Sequence, residues 1–176
     1  MKTLLLASLC ALALPCYVNA EASPEKLVVM RAIDVNGVGK IIGILKLKAV
    51  GDGIEITPDL AELSPGAHGF HIHENPSCEA GEKDGKKVAG LGAGGHFDPN
   101  KTGKHEGPHG AGHEGDLTIL MVAADGGSEQ PVYAPKLKLA DVINRSFIIH
   151  ANSDNYSDNP APLGGSGARV ACGIVE

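Results

Sequence analysis

Apolar and β-branched residues recur along the chain in short bursts, over residues 27–33, 41–50, 54–60, 69–73, 117–123, 132–139, 147–151 and 170–175, with turn-forming residues between them. Leu45, Leu47 and Ala49 alternate with Lys46 and Lys48, the period of a strand that has one face on a core and the other in water. Eight such bursts in 176 residues predict an all-β domain, an eight-stranded antiparallel Greek-key barrel or sandwich. A short helix is expected over residues 141–146, and no other segment sustains a helical period. Two stretches, residues 74–95 and 95–116, do not read as strands. They are rich in Gly, Lys and His and far longer than a hairpin connection needs, which marks them as functional loops.

The N-terminus follows another pattern. Lys2 precedes an apolar run over residues 4–14, then Pro15 and the small-residue site Val18-Asn19-Ala20, the form of a secretory signal occupying residues 1–20 and leaving a mature domain of residues 21–176. The run is too short to span a bilayer. Cleavage would remove Cys10 and Cys16, so Cys78 and Cys172 remain, an even pair that in an exported protein reads as one disulfide. That bridge would tie the first long loop to the last strand and stabilise the fold by roughly 4–5 kcal/mol through loop closure. The 24 Gly and 11 Pro, set against three Phe, three Tyr and no Trp, agree with a turn-rich β fold. The net charge of −6 becomes −7 once Lys2 is lost with the signal, which argues against a nucleic-acid partner.

The histidines carry the chemistry. Alternation along Gly69-Phe70-His71-Ile72-His73 sends Phe70 and Ile72 to one face and His71 with His73 to the other, where two imidazoles can reach one metal ion. His96, His105, His113 and Asp116 offer three nitrogen donors and a carboxylate on a loop with almost no apolar content. This is a closed tetrahedral set suited to zinc, and a bound ion would order a loop that packing cannot. His150 ends an apolar strand and looks out of the barrel wall. His68 shares the parity of Phe70 and Ile72 and is expected to be a hydrogen-bonded core histidine, whereas His109 reads as a solvated loop residue.

The motifs Gly69-Phe70-His71-Ile72-His73-Glu74, Gly94-Gly95-His96-Phe97-Asp98-Pro99, Gly112-His113-Glu114-Gly115-Asp116 and Gly164-Gly165 through Arg169-Val170-Ala171-Cys172-Gly173 resemble those of copper,zinc superoxide dismutases of the exported bacterial type. The likeness runs over the whole mature chain. It implies a copper site of His71, His73, His96 and His150 and a zinc site of His96, His105, His113 and Asp116, one of each metal per subunit, with His96 shared between them. Asp154 would hydrogen-bond one ligand of each metal, His71 and His105, and Arg169 would guide the anion. Lys83, Lys86 and Lys87 are secondary candidates for guidance and read equally well as a solubilising run.

The implied activity is dismutation of superoxide to dioxygen and hydrogen peroxide, with copper changing oxidation state and His96 supplying a proton when it detaches. A periplasmic location and a homodimer are further expectations, with neither nucleic acid nor membrane as partner. A metal store would gain nothing from placing two ions on one imidazole, and a zinc hydrolase would keep an open coordination position.

Overall fold

The computed structural model describes residues 24–176, so the expected export signal lies outside the described residues. The strands are β1 (Glu25–Asp34), β2 (Gly37–Val50), β3 (Gly53–Leu60), β4 (Gly66–His68), β5 (Phe70–His73), β6 (Gly81–Lys83), β7 (Lys86–Val88), β8 (Leu120–Val122), β9 (Val132–Ala134), β10 (Arg145–His150) and β11 (Arg169–Val175). Seven form one antiparallel sheet in the order β5-β10-β11-β1-β2-β3-β9, while β4 pairs with β8 and β6 with β7. Neighbours such as β5 with β10, β11 with β1 and β3 with β9 are distant in sequence, as in a Greek-key barrel. Each of the eight expected bursts coincides at least in part with a strand.

Alternation decides what each face does. Val28 and Met30 of β1, Leu45 and Leu47 of β2, Ile54 and Ile56 of β3, Phe70 and Ile72 of β5, and Phe147 and Ile149 of β10 all point into one buried core. Phe70 and Phe147 stack there with ring centroids 5.5 Å apart. On the other face of the sheet a smaller cluster of Ile33, Cys78, Ala89, Ala93, Ile148 and Cys172 lies under the first long loop. The Cys78–Cys172 disulfide, with Cα atoms 5.7 Å apart, fastens that loop to β11.

Two expectations are corrected. The short helix, α1, covers Leu139–Val142 instead of residues 141–146. Its start is set by a reciprocal pair, Lys138 N–H donating to the Asp141 carboxylate and Asp141 N–H to the Lys138 carbonyl, at 2.8 and 2.9 Å. Arg145 and Ser146 are drawn instead into β10, opposite Val175 and Ile174. The loop at residues 74–95 is also not strand-free. Asp84 and Gly85, at φ 53° and 72°, make the left-handed two-residue turn that joins β6 to β7. The turn was legible in the Asp-Gly pair, but strands of three residues carry too little apolar alternation to register.

Candidate metal centre

β5 is an edge strand of the main sheet, and its free backbone groups are where the two long loops attach. Phe97 N–H donates to Ile72 O at 2.8 Å, Ile72 N–H to Gly115 O at 2.9 Å, and Gly115 N–H to Phe97 O at 2.9 Å. Isolated bridges pair His73 with His96 and His71 with Asp116. The covering loops bury His71, His73, His96, His105, His113, His150 and Asp116. His150 arrives from β10 through a register shift after Ile149, which sets it opposite Arg169.

The rings converge on His96. Its centroid lies 4.0 Å from His71, 5.0 Å from His73, 6.2 Å from His150, 5.3 Å from His105 and 5.4 Å from His113. Two sets of potential donor atoms lie within 4.8 Å of one another, His71, His73, His96 and His150 in the first, His71, His96, His105 and Asp116 in the second. The first is the set expected for copper. The second holds three of the four expected zinc ligands. His113 is just beside it, with Nδ1 3.3 Å from Asp116 Oδ1.

The hydrogen bonds assign the tautomers. His71 Nε2 donates to Asp154 Oδ2 at 2.6 Å, His73 Nδ1 to Gly94 O at 3.0 Å, His105 Nε2 to Asp154 Oδ1 at 2.8 Å and His150 Nδ1 to Gly167 O at 3.1 Å. Each acceptor is a carboxylate or a carbonyl, so each of these nitrogens carries the proton. The opposite nitrogens, His71 Nδ1, His73 Nε2, His105 Nδ1 and His150 Nε2, are buried with no hydrogen-bond partner. Buried polar atoms are almost always paired, so four ring nitrogens without partners fit nitrogen-preferring cations. His105 Nδ1 lies 3.0 Å from Asp116 Oδ2, close enough for one ion to meet both atoms.

Electrostatics divide the histidines. Burial, reinforced by repulsion from His96, holds His71 and His73 well below the usual imidazole pKa, and burial pushes His150 down to about 4. For His105, burial is outweighed by the Asp116 and Asp154 carboxylates, which lift it to about 9 in the metal-free protein. Burial would raise both carboxylates, but their histidine hydrogen bonds hold them well below the usual range. Asp154 has little freedom, because Gly164, at φ +71°, is packed so closely that a Cβ there would lie 1.8 Å from Asp154 Oδ1.

Arg169 donates to Gly90 O and, at 2.6 Å, to Gly94 O. Gly94 O also receives the His73 ring, so the guanidinium and a histidine of the first set share one carbonyl of the disulfide-anchored loop. His68 is buried as expected, with Nδ1 2.6 Å from His150 O and Nε2 2.8 Å from Ser64 O. His109, Lys83, Lys86 and Lys87 are exposed. A cleft of about 440 Å³ lined by Leu27, Val29, Pro76 and Cys172 contains none of the histidines. A diatomic anion needs no such cavity.

Some contributing groups carry no sequence signal. The carbonyls of Gly94 and Gly167 are backbone acceptors, while Asp158, which accepts from His105 N–H at 2.9 Å, sits in an ordinary polar loop.

Residues 41–175 match the family model described as copper/zinc superoxide dismutase. The chain is 49% identical over its full length to the full length of superoxide dismutase [Cu-Zn] 2 of Salmonella typhimurium. It is also 49% identical to the superoxide dismutase [Cu-Zn] of Escherichia coli K12, over 96% of this chain and 98% of that one. Among solved structures, the Cu/Zn superoxide dismutase from Brucella abortus superposes with a TM-score of 0.85 at 49% identity, covering 87% of this chain and all of that one. The solution structure of the monomeric enzyme from Salmonella enterica gives 0.79 at 48% identity, over 87% of this chain and all of that one.

Proposed function

We propose a division of labour among the residues of this chain from the premise that it belongs to the copper/zinc superoxide dismutase family, dismutates superoxide and uses copper and zinc. His71, His73, His96 and His150 hold copper, and His96, His105, His113 and Asp116 hold zinc. The observation that carries this is the convergence of four buried, unpartnered imidazole nitrogens around His96, which stands between both groups. Copper when bound supplies the one-electron couple that oxidises one superoxide to dioxygen and reduces the next to hydrogen peroxide, while zinc is redox-inert.

The remaining work belongs to the protein. Asp154 fixes the tautomer of His71, so that its Nδ1 stays a lone pair, and holds the Nε2 proton of His105, so that the proton this ring gives up to a metal ion is the one on Nδ1. The carbonyls of Gly94 and Gly167 fix the tautomers of His73 and His150. His96 Nδ1 stays on the Asp116 side, 2.9 Å from Oδ1, while its Nε2 gives up and regains one of the two protons that peroxide formation consumes, the other coming from solvent water. Arg169 keeps a positive charge beside His73 and draws in the anion, and the exposed Lys83, Lys86 and Lys87 of the β6–β7 hairpin are secondary candidates that serve equally well as a solubilising run.

The shared ligand has a direct test. With divalent copper loaded into both sites, one imidazolate serving both ions should couple their spins and suppress the ordinary paramagnetic resonance signal. Two independent signals would overturn the shared assignment. Metal analysis should find one copper and one zinc per chain, with superoxide consumption lost on copper removal and regained on its return.

Export to the periplasm is part of the same proposal. It is supported by the signal-like composition of residues 1–20, the Cys78–Cys172 disulfide and the bacterial relatives. Osmotic-shock release of a chain beginning at Glu21 tests it. The expected homodimer stands beside the monomeric Salmonella enterica relative as the alternative, and sedimentation of the purified enzyme decides between them.

A further inference from the structure

Lys136 lies just beyond β9 and outside both histidine sets, yet it reaches into the zinc-side loop. Its Nζ donates to Gly107 O at 3.3 Å, Gly110 O at 3.2 Å and His113 O at 2.9 Å. An ammonium has three N–H bonds, and all three are used. The acceptors fall every third residue along a stretch in which few backbone amides find backbone partners, His113 N–H to Lys104 O at 2.9 Å being one that does. Lys136 therefore gathers three turns of chain about one point, and the last of its acceptors is the carbonyl of His113 itself. His113 is also the expected zinc ligand that falls just outside the tight second donor set. Its backbone is held by loop contacts at both polar atoms, N–H donating to Lys104 O and O accepting from Lys136 Nζ.

We propose that Lys136 is a positioning residue for the zinc site, ordering residues 104–113 before metal arrives and so presenting His105 and His113 to the ion. This rests on the zinc assignment made above. Charge and position predict opposite effects for this lysine. Asp116, Glu114 and Glu106 all lie within electrostatic reach of the ammonium, so it competes with a dication for the same negative field. Removing it would tighten zinc binding if charge alone mattered. Weaker binding can come only from loss of order in the loop, whose entropy the ion must then offset.

The test is chelator-competition titration of zinc, and separately of copper, into metal-free wild type, Lys136→Met, Lys136→Arg and His105→Ala chains. In Lys136→Met the zinc affinity should fall about 10- to 100-fold, the range for loss of a ligand-orienting contact. Copper affinity should stay within about twofold, and Lys136→Arg, which keeps charge and donors, should recover most of the loss. Unchanged or tighter zinc binding in Lys136→Met overturns the proposal, as does a parallel fall for both metals or no rescue by arginine. A wild-type chain that fails to bind zinc, or a His105→Ala chain that binds it equally well, instead overturns the ligand assignment and the proposal with it. Amide exchange on metal-free wild type decides even if Lys136→Met does not fold. The Ala111 and His113 amides, which donate to Glu106 Oε2 and Lys104 O, should be protected, and exchange at the rate of an unstructured peptide refutes the ordering role.

Discussion

Replacing Asp154 by Asn keeps the shape of the side chain and changes its hydrogen-bonding sense. Asp154 Oδ2 accepts from His71 Nε2 at 2.6 Å and from His105 Nε2 at 3.0 Å, whereas Oδ1 accepts from His105 Nε2 at 2.8 Å and from Tyr156 N–H at 2.7 Å. An asparagine keeps two of these contacts in either orientation, but turning its NH2 to the Oδ1 position sets it against Tyr156 N–H, a backbone donor that cannot move its proton, whereas turning its oxygen there keeps Tyr156 and the shorter His105 contact. The second orientation is favoured, and it points an NH2 group at the His71 Nε2 proton. His71 can relieve that conflict only by moving its proton to Nδ1, the atom that must be a lone pair to bind copper. The cost is about one charge-assisted hydrogen bond, roughly 1.5–3 kcal/mol. Copper affinity should therefore fall about 10- to 100-fold. Zinc affinity should fall less, because His105 keeps its acceptor and loses only the negative charge. Competition titrations at pH 7 with chelators of known affinity measure both. Affinities for both metals within about twofold of wild type would refute the role given to Asp154, and a loss confined to zinc would refute the orientation argument.

Gly164→Ala should mimic that phenotype with the carboxylate intact, since a Cβ at φ +71° collides with Asp154 Oδ1; unchanged metal affinities would show that the backbone can yield there. Arg169→Gln should lower the second-order rate with superoxide roughly tenfold or more and flatten its dependence on salt, read by rapid mixing at several ionic strengths; an unchanged salt profile removes Arg169 from guidance. Serine at both Cys78 and Cys172, whose bridge spans 94 residues of sequence, should cost about 4–5 kcal/mol in denaturant unfolding, and a loss below about 1 kcal/mol would contradict the closure estimate. For the metal-free enzyme, stability should peak near pH 6.5. His150 is held down to about 4, so its contribution is complete above the unfolded value of about 6.5 and is lost as pH falls, by roughly 3 kcal/mol at pH 4. His105 is raised to about 9, so its contribution is complete below about 6.5 and is lost as pH rises through 9. Thermal melts of chelator-treated protein from pH 4 to 10 test this, and stability still rising at pH 9 would contradict the His105 environment.

Period-2 alternation at residues 70–73 was enough to separate Phe70 and Ile72 from His71 and His73, because a strand leaves only two faces and the core claims one. The same parity placed His68 among buried residues. The helix boundary was missed because α1 is only four residues long and its start depends on the Lys138–Asp141 exchange, while pairing with β11 draws Arg145 into a strand. Asp158 and Lys136 escaped notice for a related reason. A carboxylate or an ammonium in a polar loop looks the same in sequence whether it meets water or a backbone group some fifty or twenty residues away.

The chain by itself determined the stock of donors, their alternation on β5 and the length and poverty of the loops that carry the rest. Which nitrogen of each ring is free, and that His96 stands between two groups, was decided only when the chain closed. A tautomer is chosen by the acceptor on the far side of the ring, and those acceptors, Asp154 and the Gly94 and Gly167 carbonyls, come from segments that meet the histidines only in the folded barrel.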